Sequence, residues 1–230
     1  MTAASIRARV RAEMTEEIKT VARQHLAADG ANLSLRAVAR QLGMVSSAVY
    51  RYFASRDDLL TALIVDAYDA IGAVTEQAEA AVDRADLLGR WLATCHAVRD
   101  WAAATPHEYA LIYGSPVPGY RAPVDTIEPA TRVPVLIGGI LRDGFATGAL
   151  TAESGEPVPP QVRANLTPAA EQISPGAPPT LLARGMTAWI HLYGAVSFEL
   201  FGHLTNVIED RDGFFEYQMR SVAGLLGLAG

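Results

Sequence analysis

The sequence predicts an all-α protein in two parts, a small three-helix head and a larger helical body. Three observations carry this. Alanine is abundant and runs of β-branched residues are short, which favours helix. Apolar residues recur at three- and four-residue spacing, and no useful stretch alternates with the period of two that a strand requires. Gly30, Gly43 and Pro106 fall where such periodic runs stop.

The elements follow in order. Residues 11–28 read as a first helix, with Met14, Ile18, Val21, Ala22 and Leu26 on one stripe and Asp29-Gly30 stopping it. Ser34 is placed to N-cap a short second helix, 35–41, whose Leu35, Val38, Ala39 and Leu42 face inward. Gly43 supplies a turn into a third short helix, about 46–53, with Val49 and Phe53 inward. Ser55 caps a long fourth helix from Arg56 to about Val82, with Asp57 and Asp58 in its electropositive first turn. Helices are expected over 84–104 and 106–113, then a loop over 115–123. The stretch 125–147 is helical with a break or kink near Pro129 and Pro134. Seven prolines make 151–179 a loop or partly disordered connection, with room for a short helix at 162–165. Helices over 180–207 and 212–226 close the chain. The domain boundary is expected near residue 55: 1–55 form the head and 56–230 the body.

Composition narrows the function. Half of the 230 residues are hydrophobic and the mean hydropathy is +0.15, which excludes a disordered chain. Cys95 is the only cysteine, so no disulfide can form within the chain. The longest uncharged stretch, 185–198, has 14 residues and contains His191. A membrane span needs roughly 20, so no membrane segment is expected. No apolar run of the signal-peptide kind follows Arg11, and a cytoplasmic location is the default. With 19 Lys+Arg against 25 Asp+Glu the net charge is −6. The distribution matters more. Residues 1–55 hold eight basic and four acidic residues, a net +4; the other 175 hold 11 and 21, a net −10. A basic head on an acidic body suggests nucleic-acid contact at one end.

The informative stretch is 31–60, ANLSLRAVARQLGMVSSAVYRYFASRDDLL. Two short helices meeting at a glycine, backed by a supporting helix, form a helix–turn–helix, which projects one helix into a major groove about 12 Å wide. The stretch resembles the DNA-binding domain of the TetR family of bacterial one-component repressors. The resemblance rests on Ser34-Leu35-Arg36, Val38-Ala39, Leu42-Gly43, Ala48 through Phe53, and Ser55 through Leu60. It implies that 46–53 is the recognition helix. Val45 stands where the family usually has a Ser or Thr N-cap; Ser46 is expected to take over the cap and shift the helix start by one. Ser46, Ser47 and Arg51 are the candidates for base edges, with Arg51 the best donor fork for guanine. The resemblance places Tyr50 and Tyr52 near the DNA backbone. Arg56, Arg36 and Ser34 are expected on phosphates. For Arg7, Arg9 and Arg11 two outcomes are open: an arm along the minor groove, or a mobile segment.

The resemblance further implies that the body is a helical ligand-binding and dimerisation bundle, with the last two helices pairing across a dimer axis. Residues 188–203 resemble a C-terminal class marked by Trp, then His-Gly, although Tyr193 precedes Gly194 here and His191 lies two positions earlier. Trp189, Tyr193, Val196 and Leu200 make one stripe, and Phe214, Tyr217 and Val222 add apolar faces on the last helix; these are the expected interface. Gly194 and Gly202 are expected to allow close helix approach. Trp91, Cys95, His96, Trp101, Tyr109, Tyr113, Met186 and Trp189 are the expected ligand contacts, since pockets are mostly apolar with a few placed polar groups. No nucleotide-binding glycine loop or zinc-protease motif occurs, and no catalytic residue, metal site or cofactor is expected. His96/Asp100 and Glu199/His203 have metal-compatible spacing, but two ligands do not make a site. The expected protein is a homodimeric transcriptional regulator. It binds a pseudo-palindromic double-stranded DNA operator and is released by a small hydrophobic or aromatic effector. The alternatives are a ligand-independent architectural DNA-binding protein and a small-molecule enzyme with an incidental helix–turn–helix.

Overall fold

Ten α-helices, one short 3-10 turn and no strand make up the described residues of the computed structural model, which are 3–29, 33–152 and 156–228. The helices are α1 (Ala3–Asp29), α2 (Leu35–Gln41), α3 (Ser46–Val49), α4 (Arg56–Ala80) and α5 (Leu87–Ala104). They continue as α6 (Pro106–Tyr113), α7 (Ile127–Ala146), α8 (Pro160–Ile173), α9 (Pro179–Leu200) and α10 (Arg211–Leu226). The chain packs as two units. One comprises residues 1–67 and 105–126, the other 68–104 and 127–230. α4 contributes its first half to the first unit and its second half to the other.

The first unit is built on Ile18, Ala22, Val38, Ala39, Val49, Leu59 and Leu60, all fully buried. Leu111, Val117 and Tyr120 pack against this core, so α6 and the loop after it belong to the head. α2 matches its expected bounds. Gly43 takes φ +66°, a left-handed conformation that costs glycine little, and Met44 N–H reaches back to the Ala39 carbonyl at 2.9 Å. Ser55 Oγ accepts from Asp58 N–H at 3.0 Å, the expected cap of α4. Ser34 stands at the N-cap of α2 without a side-chain cap bond.

Three expectations need correction here. α1 starts at Ala3 rather than near residue 11, so Arg7 and Arg9 sit on a helix and not in an extended arm. The alanines and arginines of this segment have high helix propensity, and Arg9 pairs with Glu13 at 3.5 Å one turn on. The stop read at Gly30 lies outside the described residues. α3 starts at Ser46 with Val45 at the N-cap, so the start does not shift; and the helix proper ends at Val49, followed by tight turns to Phe53.

In the second unit, α5 begins at Leu87, because Asp86 accepts from Gly89 N–H at 2.8 Å and caps the helix there. Of the break or kink expected near Pro129 and Pro134, the break is absent: α7 runs on through Pro134. The largest correction is α8, fourteen residues of helix inside the proline-rich stretch. Pro159 is its N-cap and Pro160 its first residue, where the missing N–H costs no bond and the fixed φ suits a helix. α9 stops at Leu200 rather than 207, because Gly202 takes φ +80° and His203 N–H closes onto the Phe198 carbonyl at 2.9 Å. Gly202 therefore ends a helix and does not serve helix contact.

Candidate nucleic-acid interface and apolar cavity

The recognition segment is held by two buried side chains, Val49 and Phe53, with Tyr52 packed against the same core. Ser47, Tyr50 and Arg51 are exposed; Ser46 and Tyr52 are half-buried. On α2, Arg36 and Arg40 are exposed one turn apart, and Ser34 is exposed before them. Val45 is 71% exposed at the head of the segment. Arg56 is occupied differently from expectation. Its Nε donates to the Leu33 carbonyl at 3.0 Å and its Nη1 reaches Asp57 at 3.5 Å, so it ties α4 to the start of α2.

Behind this surface, α1 is anchored by charge. Asp66 of α4 accepts from Lys19 Nζ at 3.0 Å and from Arg23 Nη2 at 2.6 Å, and Arg23 Nε pairs with Glu108 of α6 at 3.0 Å. Burial alone would lower the Lys19 pKa, but its bonds to Asp66 and Glu16 more than offset this and raise it. Arg11 of α1 also reaches the recognition segment: Nη2 donates to the Arg51 carbonyl at 2.9 Å. Its guanidinium lies 5.2 Å from the centre of the Tyr52 ring.

The second unit holds an apolar cavity of about 240 Å³ between α7, α8 and α9. Pro134, Ile137, Leu141, Leu166, Leu182 and Trp189 supply most of the wall. Among the described residues no charged side chain lines it. Its two hydroxyls already donate, Ser174 to the Gly138 carbonyl and Thr131 to the Glu128 carbonyl, both at 2.9 Å. Gly138 lets α8 approach: a Cβ there would sit 2.7 Å from the Ile173 carbonyl oxygen.

The opposite face of α7 is clamped to α4. Arg132 and Asp143 lie three turns apart on one side, whereas Pro134, Gly138 and Leu141 lie on the other, at about 100° per residue. Arg132 forks onto Glu76 at 2.9 and 2.6 Å and reaches Asp69 at 2.9 Å. Gly72 leaves room for this guanidinium, since a Cβ there would lie 2.6 Å from Arg132 Nε. The hydrogen bond from Arg132 holds the Glu76 carboxyl below its ordinary pKa. Asp143 pairs with Arg90 at 3.0 Å and with Arg84; both arginines also hold Glu79, at 2.6 and 2.7 Å. Burial pushes Asp143 up, and its arginine partners bring it to a net lowering.

Comparison with known proteins assigns this arrangement. Residues 18–63 match the model of bacterial regulatory proteins of the tetR family, and 91–222 match the tetracyclin repressor-like C-terminal domain. The chain belongs to the TetR family. Rv1816 of Mycobacterium tuberculosis, an HTH-type transcriptional regulator, is 37% identical over 89% of this chain and 88% of its own. The Mycobacterium bovis regulator Mb1846 matches at the same identity and coverage. The crystal structure of regulatory protein SCO4313 is 34% identical with a TM-score of 0.76, covering 94% of this chain and 98% of that one. PfmR, a TetR-family regulator from Thermus thermophilus, shares the fold at 17% identity and a TM-score of 0.55, over 91% of this chain and 96% of its own. This TetR-family chain is a DNA-binding transcriptional regulator.

The remaining expected site residues of this TetR-family chain are distributed as follows. Of the eight expected ligand contacts, Met186 and Trp189 line the cavity. Trp91 is core and donates to the Met219 carbonyl at 2.9 Å. Cys95 is buried, which raises its pKa, and Trp101 is buried too. His96 Nε2 meets Glu216 at 2.8 Å. Tyr109 and Tyr113 meet with their rings tilted by 42° and centres 5.3 Å apart, in the first unit. Glu199 is forked by Arg99 at 2.8 and 2.7 Å, and the His203 ring lies tilted against Phe198 with centres 5.0 Å apart. Of the expected interface, Tyr193, Val196 and Val222 are buried inside the unit and Leu200 and Phe214 are half-buried. Tyr217 is exposed, and so are Ile190 and Phe198 on α9, Phe201 at its C-cap and Leu225 on α10. Among the described residues no helix is long and apolar enough to cross a membrane.

Proposed function

We propose that the chain is a ligand-responsive repressor that grips a pseudo-palindromic operator as a dimer and is released when a small apolar molecule enters the α7–α8–α9 cavity. The observation that carries this reading is the double role of α7. One face walls an uncharged cavity and the other is clamped to α4 by Arg132, while Asp143 reaches Glu79 of α4 through Arg90 and Arg84. α4 in turn begins in the DNA-binding unit. A molecule that shifts α7 therefore shifts α4, and the spacing of two recognition segments changes with it.

The cavity chemistry selects the effector. A charge inside it would be desolvated without a partner. A cavity of about 150 Å³ holds benzene, so about 240 Å³ suits an uncharged molecule near the size of naphthalene. The exposed side chains Ile190, Phe198 and Phe201 fit a second copy of the chain, because a dimer presents two recognition segments to half-sites one DNA turn apart.

The test uses naphthalene and an operator selected by the protein from a randomised duplex pool. Naphthalene is expected to bind the wild type and to weaken operator binding at least ten-fold at saturation. Ala169→Phe, which fills the cavity, is expected to lose naphthalene binding while retaining the operator. Equal operator affinity with and without bound naphthalene at every salt concentration overturns the release mechanism.

A further inference from the structure

We infer that Arg11 is a positioning residue for DNA reading: from α1 it holds the end of the recognition segment, so that Arg51 and Tyr52 meet the DNA in one fixed orientation. The inference rests on the DNA-binding activity and is independent of the effector cavity.

The recognition segment needs such support. α3 has only four helical residues, and its N-cap, Val45, offers no side-chain acceptor. So short a helix makes few bonds of its own and leaves carbonyls at its C-terminal end to be satisfied from elsewhere. The backbone turns after Val49 return Arg51 N–H to the Ala48 carbonyl at 3.2 Å and Tyr52 N–H to the Val49 carbonyl at 2.9 Å. The Arg51 carbonyl is taken by Arg11 Nη2 at 2.9 Å. The same guanidinium lies 5.2 Å from the centre of the Tyr52 ring, so one side chain restrains two consecutive residues of the recognition segment. A cation also suits the carbonyl end of a helix.

Arg11 is fixed at its own base. α1 is buried through Ile18 and Ala22, and it is tied to α4 and α6 by Lys19 and Arg23. Its neighbouring acids are engaged elsewhere, Glu13 with Arg9 at 3.5 Å and Glu16 with Lys19 at 2.6 Å. Arg11 thereby acts through Arg51 and Tyr52 rather than as one more cation gripping a phosphate.

That distinction is measurable. The full-length protein selects a duplex from a randomised pool. Its affinity for this duplex and for a scrambled one of equal length is then measured across a salt series. Arg11→Ala is expected to cut the selected-to-scrambled affinity ratio at least ten-fold, while the scrambled affinity and the slope of log K against log salt stay unchanged. Arg11→Gln, which keeps an amide donor, is expected to recover part of the ratio. In an Arg51→Ala background the loss from Arg11→Ala is expected to shrink at least three-fold, because the side chain being positioned is gone. Thermal unfolding of each variant separates a folding defect, which weakens both duplexes together. A slope reduced by about one with equal loss on both duplexes makes Arg11 a phosphate contact and overturns the inference. An unchanged ratio, or losses that add in full with Arg51→Ala, overturns it as well.

Discussion

The recognition surface and the clamps of the second unit use arginine in opposite ways. In the DNA-binding unit, Arg36, Arg40 and Arg51 are exposed on α2 and the recognition segment. In the second unit, Arg90 is 1% exposed against Glu79, while Arg99 and Arg132 each fork onto a carboxylate. The acids decide the difference. Residues 1–55 hold only four acids, and Asp66 and Glu108 from outside that stretch anchor α1, while Arg36, Arg40 and Arg51 stay exposed. The body has an excess and folds its arginines into internal clamps, leaving apolar side chains on the outer face of α9. Where a carboxylate lies within reach an arginine becomes a structural tie, as Arg23 does in the first unit and Arg90, Arg99 and Arg132 do in the second; Arg36, Arg40 and Arg51 stay exposed.

The sharpest way to break this contrast is to remove a clamp. Arg90→Ala leaves Glu79 buried with only Arg84 beside it, and breaking a buried pair of this kind costs about 3–5 kcal/mol. Denaturant unfolding should show that loss, whereas Arg36→Ala in the head should change stability by less than about 0.5 kcal/mol. Next in size is the outer face of α9. Phe198→Glu places a charge on the proposed two-fold contact and should weaken association at least a hundred-fold, read by sedimentation, with the fold of each copy intact because Phe198 is 56% exposed. Arg51→Ala should cost about 1–3 kcal/mol of discrimination at one base pair, measured by competition between operator variants, with little change in unfolding.

The smallest effect concerns pH. The Glu76 pKa is lowered by Arg132, so the folded state binds the proton less readily than the unfolded chain does. The stability it contributes is complete above the ordinary glutamate value of about 4.3 and fades as pH falls below it. Glu76→Gln should flatten that part of the acid-unfolding curve by lowering stability at neutral pH, and leave the most acidic part, where Glu76 is protonated, nearly unchanged. In the head, Arg36→Gln should leave the curve untouched.

Much of the local structure is readable from short-range chemistry. The 35–41 and 106–113 helices, the left-handed turn at Gly43 and the Ser55 cap all depend on residues within a few positions of one another. α8 escapes a count of prolines, because their placement matters more than their number: at the N-cap and first position they start a helix. The cavity is harder. Its wall combines Leu166 and Ile173 from the proline-rich segment with Pro134 and Ile137 from α7, and no periodicity joins these stretches. Arg11 carries a sequence signal, an arginine on an N-terminal helical run, but its target 40 residues away does not.

By itself the sequence determined the all-helical class, the helix–turn–helix and the split of charge between head and body, because these follow from composition, spacing and local caps. Tertiary packing alone decided which unit takes α6, which arginines are tied to carboxylates, and which side chains of α9 stay exposed. α9 is apolar over most of its circumference. The packing of α5, α7, α8 and α10 against it leaves Tyr193 and Val196 buried and Ile190 and Phe198 exposed. A helix pattern encodes how much surface must be covered; what covers it depends on elements distant in the chain.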